Sequence, residues 1–100
     1  MSFKEIETEE LNIPKSGISI LYFSAPWCGP CRIMAPILKE LAANGTNIIK
    51  IDTDKLPKIA SEYQISSLPS LFFTKDGSVQ AKKTGAMPKE EIITLLDGLG

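Results

Sequence analysis

Cys28 and Cys31 are the only cysteines in the chain, and two residues separate them within Trp27-Cys28-Gly29-Pro30-Cys31. Thiols at this spacing can close a very small disulfide ring. Loop-closure entropy grows with loop length, so a ring this short adds little to fold stability. It is suited instead to opening and closing, which is redox chemistry. Three other uses of paired thiols compete with that reading. A structural zinc ion needs about four protein ligands, and the chain has two Cys and no His, so such a site would have to be shared between chains. A bridged iron–sulfur cluster meets the same arithmetic. A static structural disulfide is disfavoured by the small ring and the Gly-Pro spacer.

Chemistry at this spot depends on the elements that flank it. Ile18-Ser19-Ile20-Leu21-Tyr22-Phe23 is a short apolar run with β-branched and aromatic residues, which predicts a buried strand over Ile18–Ser24. Beyond the cysteines, Met34, Ile37, Leu38 and Leu41 form one stripe of an amphipathic helix over Gly29–Ala43. The thiols therefore fall where a strand ends and a helix begins. Backbone N–H groups there lack intrahelical partners and carry partial positive charge, so a thiolate is stabilised and its pKa falls. Gly29 permits close backbone approach at the tip of the turn. Pro30 is tolerated in the first helical turn and stiffens the ring.

The remaining elements follow from the same patterning. Phe3–Glu7 reads as a short edge strand and Thr8–Asn12 as one helical turn, ended by Pro14 and Gly17. Pro36 removes one hydrogen bond from the long helix, which Asn44-Gly45 terminates. Ile48, Ile49 and Ile51 mark a second buried strand over Asn47–Asp52. Lys55–Tyr63 reads as a short helix with Asp54 as N-cap, followed by a strand at Leu71–Thr74. Asp76-Gly77 predicts a tight hairpin into Val79–Thr84. A last helix opens at Pro88, with Glu90 and Glu91 in its first turn and Ile92, Leu95, Leu96 and Leu99 as its stripe. This order predicts an α/β fold with a mixed central sheet flanked by helices. A doubly wound parallel sheet is the runner-up, weakened by the hairpin.

The chain resembles the thioredoxin family. The resemblance rests on Phe23-Ser24-Ala25-Pro26-Trp27-Cys28-Gly29-Pro30-Cys31, on Ala35-Pro36-Ile37-Leu38, on Lys50-Ile51-Asp52-Thr53-Asp54, on Ile65-Ser66-Ser67-Leu68-Pro69-Ser70-Leu71, and on Gly85-Ala86, in family order and spacing. It implies a thioredoxin-like fold, a three-layer sandwich occupying residues 1–100 as one domain. It implies a protein-disulfide reductase without cofactor or metal. Cys28 would be the exposed nucleophile and Cys31 the resolving thiol, together forming the redox-active disulfide. The family's matching proline makes a cis peptide, so a cis Leu68–Pro69 bond is expected, keeping metal from the thiols and offering the Leu68 backbone to an extended substrate. Trp27, Gly85, Ala86 and the pliable Met87 would complete the substrate groove. Gly29, Pro30, Tyr22 and Lys50 would support the site. Protein disulfides and a thioredoxin reductase-type electron donor are the implied partners, and a monomer is expected.

Two residues depart from the family pattern. Tyr22 occupies the position of a buried aspartate that takes the proton of the resolving thiol, while Lys50 matches the lysine paired with it. Tyrosine, with an ordinary pKa near ~10, is a poor base at neutral pH, though its hydroxyl could bond to Lys50 or to water. Ser24 replaces an aromatic residue. Proton transfer would then run through water or Lys50, or the protein serves a specialised partner at a different redox poise. Lys50 also reads simply as a solvated strand-end lysine.

Composition sets limits. Hydrophobic residues make up 43% and charged residues 23%, ordinary for a globular domain. A net charge of −1 gives no electrostatic footprint for nucleic acid or an anionic membrane, and no run reaches the ~18 apolar residues of a membrane span. The start of the sequence lacks an apolar leader, which favours a cytoplasmic location. An adaptor of the same fold, valued for binding rather than turnover, is the alternative functional reading.

Overall fold

A computed structural model describes residues 2–100. In chain order the elements are β1 (Ser2–Glu5), β2 (Ile18–Ser24), α1 (Gly29–Ala43), β3 (Asn47–Asp52), α2 (Pro57–Glu62), β4 (Ser70–Lys75), β5 (Ser78–Thr84) and α3 (Lys89–Leu99). The strands form one sheet in the order β1-β3-β2-β4-β5. β3 runs parallel to both β1 and β2, while β4 is antiparallel to β2 and β5 antiparallel to β4.

Alternation along the strands builds a core on each face of the sheet. Ile20, Tyr22, Ile48, Leu71 and Phe73 pack against Met34, Leu38 and Leu41 of α1 and Ile92 of α3. Leu21, Phe23, Ile49, Ile51 and Phe72 point the other way, onto Leu56 and onto Ile59 of α2. This is the expected three-layer sandwich. β2 is central and covered on both sides, so its apolar run is unbroken rather than alternating. α1 continues through Pro36 and closes at Asn44. The hairpin between β4 and β5 has positive φ at both Asp76 and Gly77, the backbone of a primed two-residue turn. The Leu68–Pro69 peptide is cis, as the resemblance implied.

Two local expectations are corrected. Thr8–Asn12 forms no helical turn, because residues 6–17 are irregular and Ile6, Leu11 and Ile13 are spent on the α2-side core. Glu9 crosses to α2, where its carboxylate accepts the amides of Lys58 and Ile59, each at 3.0 Å. Asp54 is not the N-cap of α2. Leu56 holds that position without a side-chain bond, so Glu9 supplies from a distance what the local sequence lacks.

Candidate active site

Cys28 stands at the N-cap of α1 with extended backbone, φ −85 and ψ 109. From there its Sγ accepts the Cys31 amide at 3.2 Å. A sulfur thus takes the place usually filled by a capping oxygen, facing the N–H groups that the first helical turn leaves free. Pro30 lies in that turn, where its missing N–H is no loss. Cys28 and Cys31 are joined as a disulfide, with Cα atoms 5.3 Å apart. A Cβ built on Gly29 would meet nothing within 4 Å, so crowding inside the chain does not require glycine there, contrary to the expected close approach. The expected contrast in exposure is also absent: Cys28 is 4% exposed and Cys31 3%.

The predicted groove residues divide into two sets. Trp27 stands 68% exposed, and its indole Nε1 donates to Asp54 Oδ2 at 3.0 Å. Pro69 is buried and Leu68 half-buried. The Gly85 amide donates to Pro69 O at 2.9 Å, with Gly85 held at φ +86. Ala86 is exposed and Met87 buried. The Met87 amide lies 3.4 Å from Met34 Sδ, tying this loop to α1.

Behind Cys31 the parallel register does the positioning. Tyr22 lies opposite Lys50, and Ser24 opposite Asp52. Residues two apart on a strand share a face, so all four meet at one corner beneath α1. Together with Cys31 and Arg32 they line a cavity of about 250 Å³. Tyr22 is 1% exposed, and its hydroxyl donates to Cys31 O at 2.9 Å, not to Lys50. Lys50 Nζ lies instead 3.8 Å from Glu5 Oε1. Burial pushes the Tyr22 phenol above its ordinary 10.0, with the Ser24 hydroxyl offsetting part of the rise. Tyr22 is therefore a neutral hydrogen-bond donor at neutral pH.

Sequence patterning assigns no place at the site to Asp52 or Asp54, and none at the head of α2 to Glu9. Period-two spacing from Lys50 was the available signal for Asp52. Nothing local signals that Asp54 meets Trp27. Among the described residues, no group of three or more His, Cys, Asp or Glu side chains is gathered to hold a metal. No helix is long and apolar enough to cross a membrane.

A vicinal pair of cysteines at the head of a helix, carried by this five-stranded sheet, defines a thiol–disulfide oxidoreductase. The thioredoxin family profile matches residues 4–98. The chain is 42% identical over 86 residues to thioredoxin from Staphylococcus aureus, covering 83% of each chain. A reduced thioredoxin pre-protein from Schistosoma mansoni superposes with a TM-score of 0.78 at 31% identity, covering 86% of this chain and 82% of that one. A point mutant of thioredoxin from Halobacterium salinarum gives 0.79 at 27% identity, covering 84% and 75%. The chain belongs to the thioredoxin family and has its protein-disulfide reductase activity. Membership implies, in general terms, protein substrates and a reductase partner.

Proposed function

We propose that Cys28 is the attacking sulfur and Cys31 the resolving one. The observation that carries this assignment is the Cys31 amide directed at Cys28 Sγ at 3.2 Å. An N–H donor and the helix terminus behind it favour negative charge on that sulfur. In the dithiol form the Cys28 thiolate attacks a substrate disulfide, joins one substrate sulfur and expels the other as a thiolate. Cys31 sulfur then attacks Cys28 Sγ, releases the second substrate thiolate and restores the Cys28–Cys31 disulfide. A reductase-type donor returns two electrons to that disulfide.

Trp27, Leu68, Pro69, Gly85 and Ala86 form the docking surface for an extended stretch of protein around the substrate disulfide. The exposed indole and the bare Gly29 support it by leaving the approach open. Gly29, Pro30, Tyr22 and Lys50 maintain the site from behind. Residues 1–100 act as one monomeric domain, in the cytoplasm and without nucleic acid or membrane.

Insulin reduction by dithiothreitol, comparing wild type with Cys28→Ser and Cys31→Ser, tests the assignment. Cys28→Ser should lose the acceleration. Cys31→Ser should accumulate a mixed disulfide through Cys28, visible by intact mass. Equal rates for wild type and Cys28→Ser would overturn the reading, as would adducts trapped on Cys31 in the Cys28→Ser protein.

A further inference from the structure

Asp52 is the only carboxylate among the buried residues described, 5% exposed, and the exchange chemistry above gives it no part. It ends β3 opposite Ser24, on the wall of the cavity that Cys31 also lines. Its Oδ1 accepts the Asp54 amide at 2.8 Å and the Lys55 amide at 3.2 Å. Those two bonds hold the carboxylate through Oδ1 at the cavity wall. At about 250 Å³ the cavity has room for several waters, each occupying about 30 Å³ in the liquid.

The other charged and titratable groups at this corner are engaged elsewhere. From β2, the neutral Tyr22 phenol donates to Cys31 O. From α1, Arg32 donates to Pro26 O at 3.2 Å. Lys50 on β3 and Lys55 just beyond it both face Glu5 of β1, at 3.8 and 3.9 Å. Asp54 accepts from Trp27. Resolution requires Cys31 to lose a proton before it can attack, and Asp52 is the remaining base on this wall.

We propose that Asp52 takes up the Cys31 thiol proton through water in this cavity during resolution of the mixed disulfide. The proton passes from Cys31 Sγ to a bridging water, which gives one of its own to Asp52 Oδ2. The Cys31 thiolate pair then forms the S–S bond to Cys28. The Cys28–substrate S–S bond breaks, and its electron pair leaves on the substrate sulfur, which is protonated from solvent. Asp52 acts through water as a positioned base, and the assignment rests on Cys28 attacking first.

The test is a stopped-flow reaction of the reduced protein with Ellman's reagent. The first thionitrobenzoate released reports attack by Cys28, and the second reports resolution by Cys31. Asp52→Asn keeps an oxygen for the Asp54 and Lys55 amides but cannot accept the proton. Its first phase should match wild type, and its second should slow by about tenfold or more near neutral pH. The two proteins should converge in alkali, where Cys31 ionises unaided. Equal second phases across the pH range overturn the proposal, and so does a slowing that does not depend on pH, which a purely structural role would give. A missing first phase in wild type would instead defeat the assignment of Cys28 itself. Should Asp52→Asn not fold, the Asp52 carboxyl carbon can be titrated by NMR in the unaltered protein. Its curve should differ between the disulfide and dithiol forms, and coincident curves overturn the proposal.

Discussion

The Tyr22 hydroxyl donates to the carbonyl oxygen of Cys31 at 2.9 Å, so the centre of the sheet grips the helical residue that carries the second thiol. Tyr22→Phe keeps the ring and loses the bond. It should cost about 1 kcal/mol, the usual net worth of one hydrogen bond, measurable by urea denaturation of the oxidised protein. The same variant should change the response to alkali. Burial raises the Tyr22 phenol above its ordinary 10.0, so above that pH the unfolded chain releases a proton that the folded chain keeps. The contribution is whole below the unfolded value and lost as pH rises through the folded one. Tyr22→Phe should therefore lose less stability in alkali than wild type. The remaining slope includes Tyr63, whose phenol is also raised by burial. Parallel alkaline curves for the two proteins would show that Tyr22 does not contribute.

Glu9 and α2 give a second prediction. The Glu9 carboxylate holds the amides of Lys58 and Ile59 at 3.0 Å each, across a sequence separation of about fifty residues. Glu9→Ala should cost about 1 kcal/mol, the scale of a lost helix cap. Hydrogen exchange should quicken at the Lys58 and Ile59 amides, with those of β2 following only the global change. Unaltered exchange at both amides would mean that the cap is absent in solution.

Trp27 is the only tryptophan in the sequence, so its fluorescence reports the docking face directly. The 3.0 Å bond to Asp54 orders a large exposed side chain before any partner arrives. Asp54→Ala should lower the fluorescence anisotropy of the indole. It should also raise KM for a protein disulfide by about two- to tenfold, the equivalent of ordering one side chain on binding. The reactivity of Cys28 toward a small disulfide should not change. A normal KM alongside a mobile indole would separate Trp27 from recognition.

These pairs also show what could and could not be read from sequence. The buried run of β2 and the stripe of Met34, Leu38 and Leu41 describe their own surroundings, because burial on two faces or one leaves a periodic trace. Cys28 and Cys31 are legible because chemistry and spacing coincide in one short segment. Glu9 is not, since an acidic residue in a polar stretch looks the same whether it faces water or caps a distant helix. The parts of Asp52 and Asp54 are hidden for a similar reason. Both precede α2 in sequence. Period-two spacing from Lys50 hints at the face of Asp52, but its place opposite Ser24 comes from the register of β3 against β2, and the contact of Asp54 with Trp27 comes only from the folded chain. The equal burial of the two cysteines is likewise a property of assembled neighbours.

Gly85 allows a prediction in which stability and recognition separate. Its φ of +86 lies in the region that L side chains rarely adopt, and a Cβ there would meet nothing within 4 Å. Gly85→Ala should therefore be destabilised by backbone strain alone, about 1–2 kcal/mol. Gly17 supplies the control, with φ +83 and equally open space but a place beside the β4–β5 hairpin, where its amide donates to Asp76 Oδ1 at 2.9 Å. Gly17→Ala should lose a similar amount of stability. The consequences for turnover should differ. Relaxing the backbone at Gly85 weakens its 2.9 Å amide bond to Pro69 O, the link between the Leu68–Pro69 and Gly85–Ala86 segments of the proposed groove. KM for a protein disulfide should rise in Gly85→Ala and stay at the wild-type value in Gly17→Ala, measured at a temperature where both are folded. If both variants raise KM alike, the loss follows general loosening of the fold, and the Gly85–Pro69 contact has no particular part in binding.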